Sequence, residues 1–169
     1  MTQLEITDGW QDANVPDSVR PPDGFTTLAV AREWLRDRVE EGERCPCCTQ
    51  FAKVYKRTIH ATMAHDLIRI YRACGRDWFH LPDHVGHPGD FAKLRYWNMI
   101  HEELARREDG GRAGWWRITD VGMHWIYDAI TVPKYAHIYD GTLLRHSGPQ
   151  VGPRQALGTK FDYSELMAA

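Results

Sequence analysis

Three of the four cysteines stand together in Arg44-Cys45-Pro46-Cys47-Cys48. Cys45 and Cys48 have the C-x-x-C spacing whose tight turn sets two thiolates about one tetrahedral zinc ion. No second C-x-x-C follows, and Cys74 is the only other cysteine. Histidine could complete a metal site, from His80, His84 and His87 or from His60 and His65. Three readings stay open: a turn with spectator thiols and no metal, zinc held by Cys45 and Cys48, and a redox pair. The spectator reading is preferred to zinc. The redox reading comes last, because such pairs need a βαβ setting and a thiolate at a helix N-terminus, whereas Phe51 to Ile59 reads as extended. No cofactor is required, with zinc as the candidate.

The other reactive residue types give no catalytic constellation. His80 and His84 are spaced i, i+4, but Pro82 lies between them and no His-Glu-x-x-His is present. Glu40-Glu41 and Glu102-Glu103 are sequence neighbours, which points them away from a shared helical face. There is neither a glycine-rich phosphate loop after a strand nor a nucleophile elbow. The chain is read as noncatalytic.

Charge is the stronger signal. The chain's net −2 conceals −6 over residues 1–43, +5 over 44–117 and −1 over 118–169. The basic middle is mostly arginine, whose planar fork suits phosphate better than a lysine point charge does. A solvated basic surface explains the excess equally well, so charge alone names no ligand.

The elements that must position these residues can be read in order. Residues 1–25, rich in acids and prolines, form an extended acidic arm. Leu28, Ala31, Leu35 and Val39 mark an amphipathic helix ending near Gly42. Phe51 to Ile59 reads as one strand. Met63, Leu67, Ile70, Tyr71 and Cys74 stripe a helix over 61–74. Trp78 to Leu81 is extended, and Pro82 to Gly89 is a loop with room for one helical turn. Asp90 caps a helix that buries Phe91, Leu94 and Trp97 and reaches Met99. A hairpin follows, from Ile100 to Arg107 and from Trp115 to Ile118, with one of Trp115 and Trp116 facing the core. A helix from Thr119 or Asp120 runs through Ile130 until Pro133 stops it. Asp140-Gly141, between two β-forming runs, marks a second hairpin. Residues 147–160 read as linker, and Phe161 to Met167 as a short docking helix. Domains are therefore expected at 1–25 (arm), 26–146 (one domain including the cysteine box) and 147–169 (linker and C-terminal helix).

Residues 61–130 thus run helix, short strand, loop, helix, two-stranded wing, helix. With Leu94-Arg95-Tyr96-Trp97-Asn98-Met99-Ile100, a Gly/Arg-rich turn and Trp116-Arg117-Ile118-Thr119-Asp120-Val121-Gly122, this stretch resembles the winged-helix superfamily. The Cys-Pro-x-Cys box, the Phe-Ala-Lys-Val-Tyr-Lys-Arg strand, the Arg-Tyr-Trp helix and the Val-Pro-Lys-Tyr-Ala hairpin together resemble small uncharacterised proteins of bacteriophages and prophages.

The resemblance implies an α+β, winged-helix-like domain with an N-terminal helix and a C-terminal β-hairpin. It implies a phage-derived nucleic-acid-binding or regulatory protein, with a protein-interaction adaptor acting on a host protein as the alternative. Lys93, Arg95 and Tyr96 would face DNA from the recognition helix, and Arg106, Arg107 and Arg112 from the wing. Double-stranded DNA or a host protein is the expected partner, and a homodimer is allowed. No apolar run approaches the roughly 18–20 residues needed to span a bilayer. The first residues lack the basic and apolar regions of a secretory signal. A cytoplasmic setting without a membrane partner is expected.

Overall fold

A computed structural model describes residues 21–103 and 114–168. The chain divides into two compact units, Met1–Val54 and Tyr55–Ala169. Most of the acidic arm lies outside the described residues, as do Arg106, Arg107, Arg112 and the tip of the first hairpin.

In the smaller unit, helix α1 spans Leu28–Arg36, with the Thr27 side chain accepting from the Val30 N–H. It is shorter than its apolar stripe predicts. The Arg38 N–H bonds to the Leu35 carbonyl, a tightened turn, and the Gly42 N–H to the Arg38 carbonyl, so the chain continues to Gly42 as isolated turns. Ala31, Leu35, Val39 and Val54 are buried. Beyond Gly42, at φ 93°, strands β1 (Glu43–Arg44) and β2 (Phe51–Ala52) pair antiparallel, Arg44 opposite Phe51.

The larger unit begins with β3 (Tyr55–Thr58). The single strand expected over 51–59 is therefore two strands in different sheets, interrupted at Lys53 and Val54. Helix α2 occupies Ala61–Cys74, as its period predicts, and buries Met63, Ala64, Leu67, Ile68 and Ile70. Met63, Leu67, Ile68 and Ile70 each contribute about 1.5–3 kcal/mol by leaving water. Strand β4 (Phe79–His80) and a single 3₁₀ turn, Leu81–Asp83, follow.

The helix expected over 90–99 is built differently. Helix α3 starts at Pro88, whose missing N–H costs nothing in a first turn, and ends at Phe91. The chain then tightens into a 3₁₀ helix over Ala92–Trp97. Asp90 lies inside the first turn, with His87 at the cap position. Asn98, at φ 56°, ends the run.

Strands β5 (Ile100–Glu102) and β6 (Trp115–Ile118) form the expected hairpin, and β6 lies between β4 and β5. Trp116 is buried and Trp115 only half-buried, so the pair alternates as predicted. Helix α4 covers Asp120–Ile126 and ends well before Pro133. Asp128 takes φ 59°; its N–H bonds to the Trp125 carbonyl and that of Ala129 to the His124 carbonyl. This double closure satisfies the last carbonyls.

Strands β7 (Val132–Tyr139) and β8 (Thr142–Val151) join through Asp140-Gly141, both at positive φ. The second sheet runs β3-β7-β8, with Arg57 opposite Ala136 and Tyr55 opposite Ile138. The expected linker is instead the end of β8 and helix α5 (Pro153–Leu157), whose first residue is again proline. Helix α6 (Tyr163–Ala168) completes the chain. Phe79, Phe91, Leu94, Trp97, Trp116, Trp125 and Ile126 share one core with the α2 stripe. The architecture is α+β. No helix among the described residues is long and apolar enough to cross a membrane.

Candidate functional site

The core side of the α3–3₁₀ run decides what its other side presents. Phe91, Leu94 and Trp97 are buried, and the Trp97 indole N–H donates to the Pro133 carbonyl at 2.7 Å. Lys93, Arg95 and Tyr96 then lie toward solvent on the remaining arc, where the sequence stripe puts them. Tyr96 is held at both ends. Its carbonyl oxygen lies 2.9 Å from His146 Nε2, and its hydroxyl donates to the Gly141 carbonyl at 3.2 Å. Arg95 donates to that hydroxyl at 3.1 Å, with its guanidinium carbon 5.0 Å from the ring centroid. Lys93 bonds to Asp90. That bond, and then the lysine charge, hold the Asp90 carboxyl below its ordinary range.

Strand β3 supplies the facing wall. The Arg57 guanidinium lies 4.9 Å from the Tyr55 ring centroid, a second arginine–tyrosine stack. Tyr55, Arg57, Lys93, Arg95, Tyr96 and Asp140 line one cleft of about 490 Å³. Exposed cation–π contacts are worth only about 0.5–1 kcal/mol each. Their consequence here is orientation, since a stacked guanidinium keeps its edge donors available to an anion. The lining carries three cations and one acid, Asp140; Lys93 is paired with Asp90 and Arg95 lies 3.9 Å from Glu102, so an anionic ligand would have to exchange with these carboxylates.

Tyr55 and Arg57 were not among the expected site residues. A sequence signal existed in the alternation of aromatic and basic residues from Phe51 to Arg57. The pairing of β3 with β7, which brings them to Lys93 and Arg95, joins residues about 80 apart, and no local pattern reports it.

The cysteine box forms the turn between β1 and β2. The Cys45 N–H bonds to the Gln50 carbonyl and the Thr49 N–H to the Cys45 carbonyl, both at 2.8 Å. Thr49 takes φ 61°, and its carbonyl accepts from Arg44 Nη1 at 3.1 Å. The backbone N–H groups of Cys47 and then Cys48 bond to the Cys45 sulfur and pull its thiol below the ordinary range. Desolvation, followed by the charge of Cys45, pushes the Cys47 thiol up. All four cysteines are free thiols. The box lies at a hairpin tip rather than at a helix N-terminus, which removes the feature a dithiol oxidoreductase needs.

The histidines considered as further ligands belong to the larger unit, where several have other partners. His80 Nδ1 lies 3.0 Å from Asp83 Oδ2. His65 lies 3.0 Å from Asp66 and stacks on Phe161. His84 Nε2 is 3.8 Å from the Cys74 sulfur. That pairing has the composition of a nucleophilic dyad, but burial, then the charge of Asp77, push the Cys74 thiol up, opposite to what a thiolate nucleophile needs. Among the described residues no group of three or more His, Cys, Asp or Glu is arranged to hold a metal ion.

Comparison with protein-family models, with curated proteins and with solved structures finds no match.

Proposed function

We propose that the chain is a noncatalytic, regulatory nucleic-acid-binding protein of winged-helix type, engaging duplex DNA through the cleft between β3 and the α3–3₁₀ run. The observation that carries this reading is the convergence of Arg57, Lys93 and Arg95 with Tyr55 and Tyr96 on one surface. The order helix, strand, turn, helix, hairpin, helix from α2 to α4 supports the winged-helix part. Phosphate contacts from arginine and lysine set orientation on a duplex, while an aromatic wall offers stacking to an exposed base. Arg106, Arg107 and Arg112 would extend the footprint along the wing.

The test is fluorescence anisotropy with labelled duplex and single-stranded oligonucleotides across a salt series. Affinity for duplex falls with salt at a slope of about 0.9 per phosphate neutralised, so the three cleft cations contribute at most about 2.7, reached when Lys93 and Arg95 exchange Asp90 and Glu102 for phosphate. Arg57→Ala and Arg95→Ala each weaken binding and reduce the slope by about 0.9. No binding to duplex at low salt overturns the proposal. Preference for single strands would move the reading from duplex recognition to base stacking. A stoichiometric host-protein partner that survives nuclease would favour the adaptor reading.

A further inference from the structure

We propose that Cys45 and Cys48 from two copies of the chain close one zinc site between them, so that the hairpin tip is a metal-dependent dimerisation device. Cys45 and Cys48 have the spacing of half a tetrahedral thiolate centre. A metal-bound sulfur keeps negative charge, and backbone N–H groups aimed at it satisfy that charge and fix its direction. Cys45 receives two such groups, from Cys47 and Cys48. The bonds from Cys45 N–H to Gln50 and from Thr49 N–H to Cys45 lock the loop, and left-handed Thr49 returns it into β2. The turn presents its thiols rather than burying them: Cys48 is exposed and Cys45 half-buried.

A second copy can supply the donors that the box lacks. Zinc in a structural site takes four ligands, and a C-x-x-C pair supplies two. Within its own unit, residues 1–54, the chain has no histidine and no cysteine besides Cys47 to add to the pair. An identical tip offers an identical pair. A two-fold axis through the metal then completes the tetrahedron with sulfur alone, the isologous arrangement commonest for dimers. Charge is consistent with this closure. Four thiolates and one zinc ion leave two negative charges, and each copy brings Arg44 to the turn and Arg32 within electrostatic range of Cys47. Cys47, between the two ligands, is left outside the metal.

The experiment uses the full chain, stripped of metal and kept reduced, titrated with zinc while mass is followed by light scattering. The expected endpoint is half an equivalent of zinc per chain, with the mass doubling and a chelator reversing both. Cobalt(II) in place of zinc should give the visible and near-ultraviolet bands of a tetrahedral tetrathiolate at the same half-equivalent. Cys45→Ser and Cys48→Ser should each abolish metal uptake and the mass change. Cys47→Ser should retain both. One zinc per chain without a mass change, no uptake, a mass indifferent to zinc, or equal loss in Cys47→Ser would overturn the proposal. The wild-type titration alone suffices if a variant fails to fold.

Discussion

Asp140 shares the cleft with three cations and is also the first central residue of the β7–β8 turn, at φ 48°. Asparagine serves that turn position as well as aspartate does, so Asp140→Asn separates charge from fold. In water, one unit charge at close range is worth up to about 1 kcal/mol, or a factor of about five. Duplex affinity should therefore rise roughly twofold to fivefold at low salt, with the gain vanishing at high salt, as measured by the same anisotropy titration. Unchanged affinity at every salt concentration would place the ligand away from this turn. The sequence exposed the other half of the cleft directly. Lys93, Arg95 and Tyr96 could be named because Phe91, Leu94 and Trp97 repeat at helical spacing, and whatever lies between buried positions faces out. Arg57 could not be named the same way, since its place depends on which strand lies beside it.

At the level of elements, the junction between the 3₁₀ helix and α4 explains the Ile118-Thr119-Asp120-Val121-Gly122 pattern. The Thr119 hydroxyl donates to the Asn98 carbonyl at 2.5 Å and accepts from the Gly122 N–H at 3.1 Å. Gly122 meanwhile packs so closely that a Cβ would stand 2.2 Å from the Met99 carbonyl oxygen. Alanine favours a helix over glycine by about 1 kcal/mol, yet the clash is with backbone that cannot swing aside. Overpacking of this kind costs about 1–3 kcal/mol, so Gly122→Ala should lower the melting temperature. A raised value would mean that the junction yields easily. Elements with a strong period, such as α2, and turns with demanding chemistry, such as Asp140-Gly141, could be read from the sequence. Residues 147–160 could not, because glycine and proline punctuate elements as well as linkers. Pro153 opens α5 and Gly158, at φ 60°, follows its end. Similarly, Asp128 ended α4 where Pro133 was the obvious candidate.

For the larger unit as a whole, α6 is tied down by Tyr163. Its hydroxyl donates to the Ile126 carbonyl at 2.8 Å, and the Arg154 guanidinium lies 4.1 Å from the ring centroid. Burial, then the charge of Asp128, raise the phenol above its ordinary value. A group raised on folding contributes stability that is fully present below its unfolded pKa, about 10, and is lost as pH rises through the higher folded value. Tyr163→Phe should cost about 1 kcal/mol at neutral pH. The gap in melting temperature between wild type and variant should then narrow above pH about 10. A gap constant with pH would show that the hydroxyl does not couple to folding.

The ten-residue strand β8 lies at the edge of its sheet, where unpaired backbone groups offer a template for chain-to-chain strand addition. Gly148, at φ 88°, and Pro149 fall between the paired positions Ser147 and Gln150. A Cβ at Gly148 would stand 2.4 Å from the Tyr135 ring, so the kink is built into the packing. Proline lacks the N–H that an incoming strand would need. The edge ladder is thereby interrupted between Ser147 and Gln150, and the pair that makes the segment read as a linker also denies an incoming strand one continuous ten-residue template.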